Sequence, residues 1–206
     1  MIGKSNPTEV GRQGPVTVAA LYVDPRGPYP KLAGVDPWDA KRDARNYAGP
    51  WPVVAHPPCG PWGMLRHLYQ GAEHELGLYA VGQVRIWGGI LEHPAHSALW
   101  PASGLPRPLP GEADEFGGYS VEVCQCDWGH PARKRSWLYM VGVDRARIVF
   151  PPRREPTHWC SGSRNAPRGP VPAGIKVCSS RQRRRTPEAF ARWLVALAAT
   201  AERGAA

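Results

Sequence analysis

The sequence contains no apolar run long enough to cross a membrane, and its first fifteen residues lack the apolar centre of a signal peptide. We therefore expect no membrane association and predict a protein of the cytoplasm, in a bacterium or a phage-infected host. Residues 1–15 are polar and contain Gly and Pro, so they are predicted to form a flexible lead-in.

Cysteine is scarce and irregularly spaced, with five in 206 residues, so the sequence offers no disulfide framework. Reduced thiols are expected, which leaves one available for chemistry. The alternative is a zinc site, built from Cys124, Cys126, Cys160 and Cys178 with His130 or His158. The Cys-x-Cys spacing differs from the usual Cys-x₂-Cys, and thiols two apart on a strand share a face, so we predict no metal site.

Acidic residues are rare in one part of the chain. Positions 131–185 hold fourteen Lys or Arg against two acids, a charge of +12, whereas the whole chain carries +9 and the remainder therefore −3. A basic segment on a nearly neutral body favours a polyanionic partner, with nucleic acid ahead of a merely solvated Arg-rich surface.

The apolar pattern alternates between strand and helix periodicity. Strands are predicted at 16–23, 51–56, 90–92, 120–126 and 136–143, and helices at 39–47, 72–88 and 186–203. Thr186 is the expected N-cap of the last helix, with Pro187 at its first position. Residues 151–180 lack any period and are interpreted as a loop-rich insert.

This alternation predicts one compact α/β domain over residues 16–206, with a three-layer, Rossmann-like sheet between helices. In such sheets reactive residues gather where strands end, at the carboxyl edge. Cys59 and Glu92 both occupy strand-end positions of this kind, so we predict that they share one site.

Cys59 stands in a turn that its neighbours make rigid. Two prolines precede it and a Gly-Pro pair follows, which favours a thiol presented for nucleophilic attack. The alternative is a small cysteine buried in the core, which is more usual inside an apolar strand than after two prolines.

Glu92 follows an apolar strand and precedes His93 and Pro94. Partial burial is expected to raise the pKa of this carboxyl enough for it to donate a proton. A solvated turn residue is the alternative. Three consecutive cations at 133–135 stand directly before another apolar strand, where Arg133 and Arg135 could hold a phosphate or a base carbonyl.

Taken in order along the chain, four segments resemble the DNA cytosine-C5 methyltransferase family. Residues 57–62 (PPCGPW) look like its catalytic Pro-Cys loop, and residues 91–94 (LEHP) are similar to its Glu-Asn-Val motif. Residues 128–142 resemble its Tyr-Gly-x-Pro-Gln-x-Arg-x-Arg segment and the following strand. Residues 186–191 (TPEAFA) resemble its last, Pro-led helix. The resemblance implies a methyltransferase sheet and a DNA-modifying enzyme.

The resemblance implies that a pyrimidine is turned out of duplex DNA, that Cys59 adds to C6, and that Glu92 bonds the N3/N4 edge and protonates N3. C5 then takes a one-carbon electrophile, and loss of the C5 proton and of Cys59 restores the ring. Arg133 or Arg135 would hold the base oxygen or the flanking phosphate, and Trp62 would cover the base. Further DNA contacts are expected from Lys134, Arg183 and Arg184.

The cofactor segment departs from the family's pattern. Its S-adenosylmethionine site opens with a Phe-x-Gly-x-Gly turn, whereas residues 23–29 here are VDPRGPY. The resemblance still implies S-adenosylmethionine, with Asp24 or Asp36 on its ribose and Pro57 as a further contact. Another one-carbon donor is the alternative.

The target-recognition region of the family is also missing. About thirty irregular residues follow the cationic segment, fewer than a domain needs. We therefore expect that the protein recognises only a short DNA sequence, or that a protein partner supplies the base-sequence specificity. Two other functions stay open. A non-catalytic DNA-binding relative would not need Cys59 or Glu92, and an enzyme of free nucleotides would not need the basic segment.

Overall fold

The computed structural model describes residues 17–160, 171 and 173–202. The predicted lead-in over 1–15 lies outside the described residues, as does position 203 of the predicted last helix. The strands are β1 (Val18–Leu21), β2 (Val35–Trp38), β3 (Val53–Ala55), β4 (Gly89–Pro94), β5 (Tyr119–Cys124), β6 (Arg135–Val141), β7 (His158–Trp159) and β8 (Lys176–Val177). The helices are α1 (His74–Trp87), α2 (Leu99–Ala102), α3 (Ser180–Arg184) and α4 (Glu188–Ala198).

Within these residues, six strands form one sheet in the order β2-β1-β3-β4-β6-β5. The pairings among β2, β1, β3 and β4 are parallel, whereas β6 runs antiparallel to both β4 and β5. Strands β7 and β8 form a separate short parallel pair. The chain is therefore a mixed α/β protein with a mostly parallel sheet, as the alternation of patterns predicts.

The two faces of the sheet bury separate apolar clusters because successive strand side chains point to opposite faces. Ala20 belongs to the cluster that includes Phe190 of α4, whereas the neighbouring Leu21 belongs to the one that includes Val84 of α1. Helices α4 and α1 thus cover opposite faces. Both pack on β3 and β4, the two strands that lead to the predicted site.

All five predicted strands are confirmed, and so is the helix over 72–88. Strand β2 was not predicted, because Pro37 lies within it. Proline cannot donate to a sheet ladder, and β2 tolerates it as an edge strand. The helix predicted over 39–47 is wrong, since only a 3₁₀ turn at Ala44–Asn46 forms there.

The C-terminal elements also differ in detail from the pattern. Helix α4 has Pro187 as its N-cap residue, one position later than predicted, so Thr186 does not cap it. The short α3 was not predicted; the Ser179 hydroxyl accepts from the Gln182 backbone while the Gln182 side chain accepts from the Ser179 backbone. That reciprocal cap satisfies otherwise unpaired backbone groups at the start of α3.

The topology brings several chain segments to one edge. Strands β1, β3 and β4 end there, and β6 begins there because it runs antiparallel to β4. The order of the strands changes direction between β1 and β3, and open α/β sheets usually bind ligands outside such a switch point. In the part of the chain that the structure describes, no helix is both long and apolar enough to traverse a bilayer.

We predict that Gly89→Ala destabilises the sheet by about 3 kcal/mol. Gly89 has a φ of +113°, and an added Cβ would collide with the backbone of Val53 on β3. Gly82→Ala is the matched control, because a Cβ there meets open space on α1 and should stabilise by about 0.5–1 kcal/mol. Chemical denaturation measures both; equal effects of the two substitutions would contradict this account of the β3–β4 contact.

Candidate active site

Cys59 lies in a tight turn that follows β3. Its carbonyl accepts from the backbone N–H of Gly63 at 2.7 Å and of Trp62 at 3.3 Å, which closes the turn behind the thiol. The residue itself is exposed. The turn therefore presents the thiol at the carboxyl edge of the sheet, where the sequence predicts it.

Trp62 anchors this turn to the body of the protein. Its indole Nε1 donates to the His74 carbonyl at 3.1 Å, and its carbonyl accepts from the Ala98 N–H at 2.9 Å. The ring is partly buried against the cluster on the α1 face. Trp62 was predicted to cover a DNA base; the structure instead places its ring against α1, where it fixes the loop.

The surroundings of the Cys59 thiol favour its protonated form. Although the residue reaches solvent, protein atoms crowd the sulfur, and this burial raises the pKa of the thiol. The negative charge of Glu92 raises that pKa further, whereas Lys134 and Arg184 lower it. The thiol thus lies within electrostatic reach of the predicted carboxylate and of two cations.

Glu92 is buried, and side chains from three different elements hold its carboxylate. Within the described residues, Oε2 accepts from His56 Nδ1 at 2.9 Å, and Oε1 accepts from Gln125 Nε2 at 3.0 Å and from the Ser136 hydroxyl. These partners follow β3, follow β5 and lie on β6, respectively. The solvated-turn alternative is therefore wrong for Glu92.

The predicted direction of the Glu92 pKa is also wrong. Burial raises the pKa, as expected, but the hydrogen bond and charge of His56 act in the opposite direction. Lys134 and the Ser136 hydroxyl lower it as well, and the net result is a pKa of about 2. Glu92 is therefore an ionised acceptor near neutral pH and holds no proton to donate.

A tyrosine and a histidine extend this network toward β1, and the sequence reasoning missed both. Tyr29 follows β1, and its hydroxyl lies 2.5 Å from His56 Nε2. The His56 backbone N–H donates to Leu21 of β1 at 3.0 Å, which fixes it beside the switch point. The sequence feature that could have identified His56 as a site residue is its position directly after a strand. Nothing in the local pattern marks Tyr29.

Of the three cations at 133–135, the structure brings Lys134 to the site. Lys134 acts electrostatically on Cys59 and Glu92, and its Nζ donates to the Arg185 carbonyl at 3.3 Å. Arg135 lies on the opposite face of β6, where it makes a two-pronged ion pair with Glu122. Arg135 lies on that face because successive side chains of a strand point to opposite faces of the sheet.

Arg133 is exposed and points toward Glu155, at 3.9 Å, rather than to Cys59. Both predicted catalytic arginines thus pair with glutamates in the structure, and their catalytic roles stay predictions. Arg184 acts on the Cys59 thiol, whereas Arg183 acts on Cys160 and Cys178. One of the two predicted Arg contacts on α3 thus lies near the nucleophile.

No family model matches this chain, and a search of curated proteins finds no significant match. What the site can do therefore follows from its own residues. It combines an exposed thiol, a buried and ionised carboxylate with fixed donors, and two cations at one sheet edge. Such a set can bind a planar, hydrogen-bonding electrophile next to a phosphate.

The residues predicted to hold S-adenosylmethionine lie after β1, on β2 and after β3. Asp36 lies within β2, where its carboxylate accepts from Arg42 at 2.6 Å and from the Trp38 indole at 2.8 Å. Asp24 is exposed and bonds Arg26, whose backbone N–H lowers the Asp24 pKa. Pro57 is buried. Each predicted acid already has a cation as its partner.

A small cavity lies nearby, at the carboxyl ends of β1 and β2. Its volume is about 230 Å³, and Val23, Pro25, Pro30, Pro37, Asp39 and Arg42 line it. Ligand pockets of drug-like size are usually about 300–1,000 Å³, and this cavity is smaller than that range. Asp39 lines this cavity but is not among the predicted site residues, because β2, the strand directly before it, was not predicted.

The four remaining cysteines form two close pairs. Cys124 Sγ and Cys126 Sγ are 2.8 Å apart, and the Cys160 and Cys178 thiols hydrogen bond to each other. Among residues 17–160, 171 and 173–202, no group of three or more His, Cys, Asp or Glu side chains is arranged to hold a metal ion. The zinc alternative therefore has no geometric support in this region.

We predict that Glu92→Gln destabilises the protein near neutral pH by on the order of 3 kcal/mol, because the substitution leaves buried donors mismatched. The Glu92 pKa is lowered from 4.5 to about 2 on folding, so its contribution is complete above pH 4.5 and is lost as pH falls toward 2. Urea denaturation of both proteins from pH 7 to pH 2.5 measures this. A difference that stays constant over that range would contradict an ionised Glu92.

Proposed function

We propose that the protein is a DNA-modifying enzyme that acts at C5 of a pyrimidine, in the manner of the cytosine-C5 methyltransferases. One observation supports this most: the exposed Cys59 thiol and the buried Glu92 carboxylate lie at the same sheet edge, close enough for the charge of Glu92 to raise the thiol pKa. A nucleophile that attacks C6 and an anion that accepts from the amino group at C4 are two of the groups that such an addition uses.

The architecture is compatible with a three-layer, Rossmann-like domain of the methyltransferase kind. Helices α1 and α4 cover opposite faces of the sheet, and the candidate nucleophile follows β3, beside the switch point between β1 and β3. Ligands of open α/β sheets bind at this position. Fold alone does not establish chemistry, so the thiol and the carboxylate carry the proposal.

In the proposed reaction, the Cys59 thiol gives its proton to solvent and its sulfur forms a bond to C6 of an extruded pyrimidine. The electron pair of the C5–C6 double bond shifts to C4–C5, the C4–N3 π pair moves onto N3, and N3 takes a proton from solvent while Glu92 binds the adjacent amino group. C5 then carries the electron density that a one-carbon electrophile accepts. Loss of the C5 proton and departure of the Cys59 sulfur restore the aromatic ring.

The DNA strand would lie along the cations beside the thiol. Lys134 and Arg184 both act electrostatically on Cys59, so a phosphate flanking the target base would find them there. The recognised DNA sequence would be short, or a protein partner would supply the base-sequence specificity. S-adenosylmethionine is the donor that the resemblance implies, and since its predicted contacts are engaged, a different one-carbon donor is the alternative.

One observation favours a second function, that of a DNA-binding protein without catalysis. The Tyr29–His56 contact spans the carboxyl ends of β1 and β3, and Asp36 is bound to Arg42, so several side chains in the region expected to bind a cofactor are engaged within the protein. A DNA-binding protein without catalysis would tolerate this arrangement. It would not explain why a thiol is exposed beside a buried carboxylate.

DNA that contains 5-fluorocytosine tests the enzyme directly, because the fluorine blocks release of the sulfur after transfer. We expect a covalent protein–DNA adduct with wild type in the presence of the correct one-carbon donor, and none with Cys59→Ser. Denaturing electrophoresis and intact mass spectrometry detect the adduct. DNA binding without an adduct under every donor tried would favour the non-catalytic alternative.

The different positions of Lys134 and Arg133 lead to a separate prediction. Lys134→Ala should weaken DNA binding, lower the slope of log affinity against log salt by about 1, and slow adduct formation, because it also removes a charge that lowers the Cys59 pKa. Arg133→Ala is the matched control, since Arg133 is exposed and lies by Glu155. Fluorescence anisotropy at several salt concentrations measures the slope; a larger effect of Arg133→Ala would contradict the assignment.

A further inference from the structure

Two thiols meet at the end of β5, next to the candidate site but outside it. Cys124 is the last residue of β5, and Cys126 lies in the 3₁₀ turn at Gln125–Trp128 that follows. Their sulfur atoms are 2.8 Å apart, and both cysteines are free. Strand β5 is at the edge of the sheet, and Cys124 is partly exposed whereas Cys126 is buried. The pair therefore has one thiol that a small molecule can reach and a second thiol directly behind it.

Backbone hydrogen bonds hold the two thiols together. The N–H of Gln125, the residue between them, donates to the Lys134 carbonyl at 2.8 Å, and its carbonyl accepts from the His130 N–H at 3.0 Å. The Cys126 carbonyl accepts from the Gly129 N–H at 2.9 Å. A turn fixed in this way keeps residues two apart within reach of a disulfide, which joins Cα atoms about 4.4–6.8 Å apart. The fold thus places the two sulfur atoms where they can bond.

The residue between the two cysteines is also a donor to Glu92. Gln125 is fully buried, and its Nε2 donates to Glu92 Oε1 at 3.0 Å and to the Ser136 hydroxyl oxygen at 2.9 Å. A disulfide between Cys124 and Cys126 would close a small ring that contains the whole backbone of Gln125. The torsions that adjust when the sulfurs bond are therefore the ones that aim the Gln125 amide at Glu92.

We propose that Cys124 and Cys126 are a reversible thiol–disulfide pair that a small disulfide such as oxidised glutathione converts, and that its oxidation withdraws the Gln125 amide from Glu92. The thiol form, in which Glu92 keeps this donor, is the form that binds the pyrimidine productively. This effect on catalysis rests on the proposed function, whereas the thiol–disulfide pair itself does not.

The oxidation is balanced by the small disulfide alone. The Cys124 thiol gives its proton to solvent, and its sulfur attacks one sulfur of the small disulfide, whose S–S bond breaks and releases one thiolate. Cys126 then loses its proton to solvent and attacks the Cys124 sulfur, and the second thiolate leaves. The two released thiolates take up the two protons. Two protein thiols are thus oxidised to one disulfide, and the small disulfide is reduced to two thiols.

The order of these two steps follows from the surroundings of the thiols. Cys124 is the more exposed of the two, so it meets the small disulfide first. Burial, the contact with Cys124 and the charge of Asp127 raise the pKa of the Cys126 thiol to about 12. Once Cys124 is in the mixed disulfide, its thiol no longer contributes to that increase. Cys126 is then the resolving thiol, already in contact with the sulfur that it attacks.

Peptide mapping tests the pair without any assay of activity. Cleavage after Lys and Arg leaves Cys124 and Cys126 on one peptide that contains none of the other cysteines. After treatment of the folded wild type with oxidised glutathione, we expect this peptide to be lighter by two hydrogen atoms and to resist iodoacetamide. Dithiothreitol should reverse both changes. A peptide that stays in the dithiol form, or that carries only bound glutathione, would overturn the proposal.

The link to Glu92 is tested by adduct formation on 5-fluorocytosine DNA, before and after oxidation. We expect oxidised wild type to react more slowly by about 10-fold or more, the effect of losing one hydrogen bond to a charged group, and dithiothreitol to restore the rate. Cys124→Ser should be insensitive to the oxidant. Cys160→Ser is the matched control and should respond like wild type, because Cys160 and Cys178 follow β7 and β8, away from Gln125.

The possible results separate the pair from the proposed function. If the oxidant slows Cys124→Ser as much as wild type, it acts on Cys59 instead, and the link through Gln125 is wrong. A disulfide that leaves the adduct rate unchanged also overturns that link. If reduced wild type forms no adduct, the proposed function fails, while peptide mapping still decides whether the pair exists. Should Cys124→Ser fail to fold, Cys126→Ala gives the same comparison.

Discussion

The buried carboxylate of Glu92 sets a requirement that several parts of the structure meet together. A charge out of water is stable only when it is hydrogen bonded and paired, and Glu92 receives donors from His56, Gln125 and Ser136. These donors lie at the end of β3, after β5 and on β6. The sheet order that places β4 between β3 and β6 is what allows them to converge on one side chain.

The same network links the segments that follow β1 and β3. His56 bonds both Glu92 and Tyr29, so the side chains after β1 and β3 meet across the switch point. Asp36 is held by Arg42 on the neighbouring edge strand. This edge of the sheet therefore combines a thiol and a hydrogen-bonded carboxylate with nearby acids that are paired to arginines.

Part of the site could be predicted from local pattern. Cys59 and Glu92 stand at the ends of apolar runs, and parallel strands necessarily end at one edge, so their convergence follows from the alternation of strands and helices. The ionisation of Glu92 could not be predicted in the same way. Burial raises its pKa, and the lowered value depends on His56, Lys134 and Ser136, which are 36 to 44 residues distant along the chain.

The sequence by itself determined the strands, the long helix α1, the rigid turn at Cys59 and the concentration of positive charge after position 131. Tertiary structure decided which of the charged residues face the site. Because side chains alternate along a strand, one position separates Lys134, which acts on Cys59, from Arg135, which pairs with Glu122 on the other face. It also decided the contact of Tyr29 with His56, since loop residues far apart in sequence meet only when parallel strands align their ends.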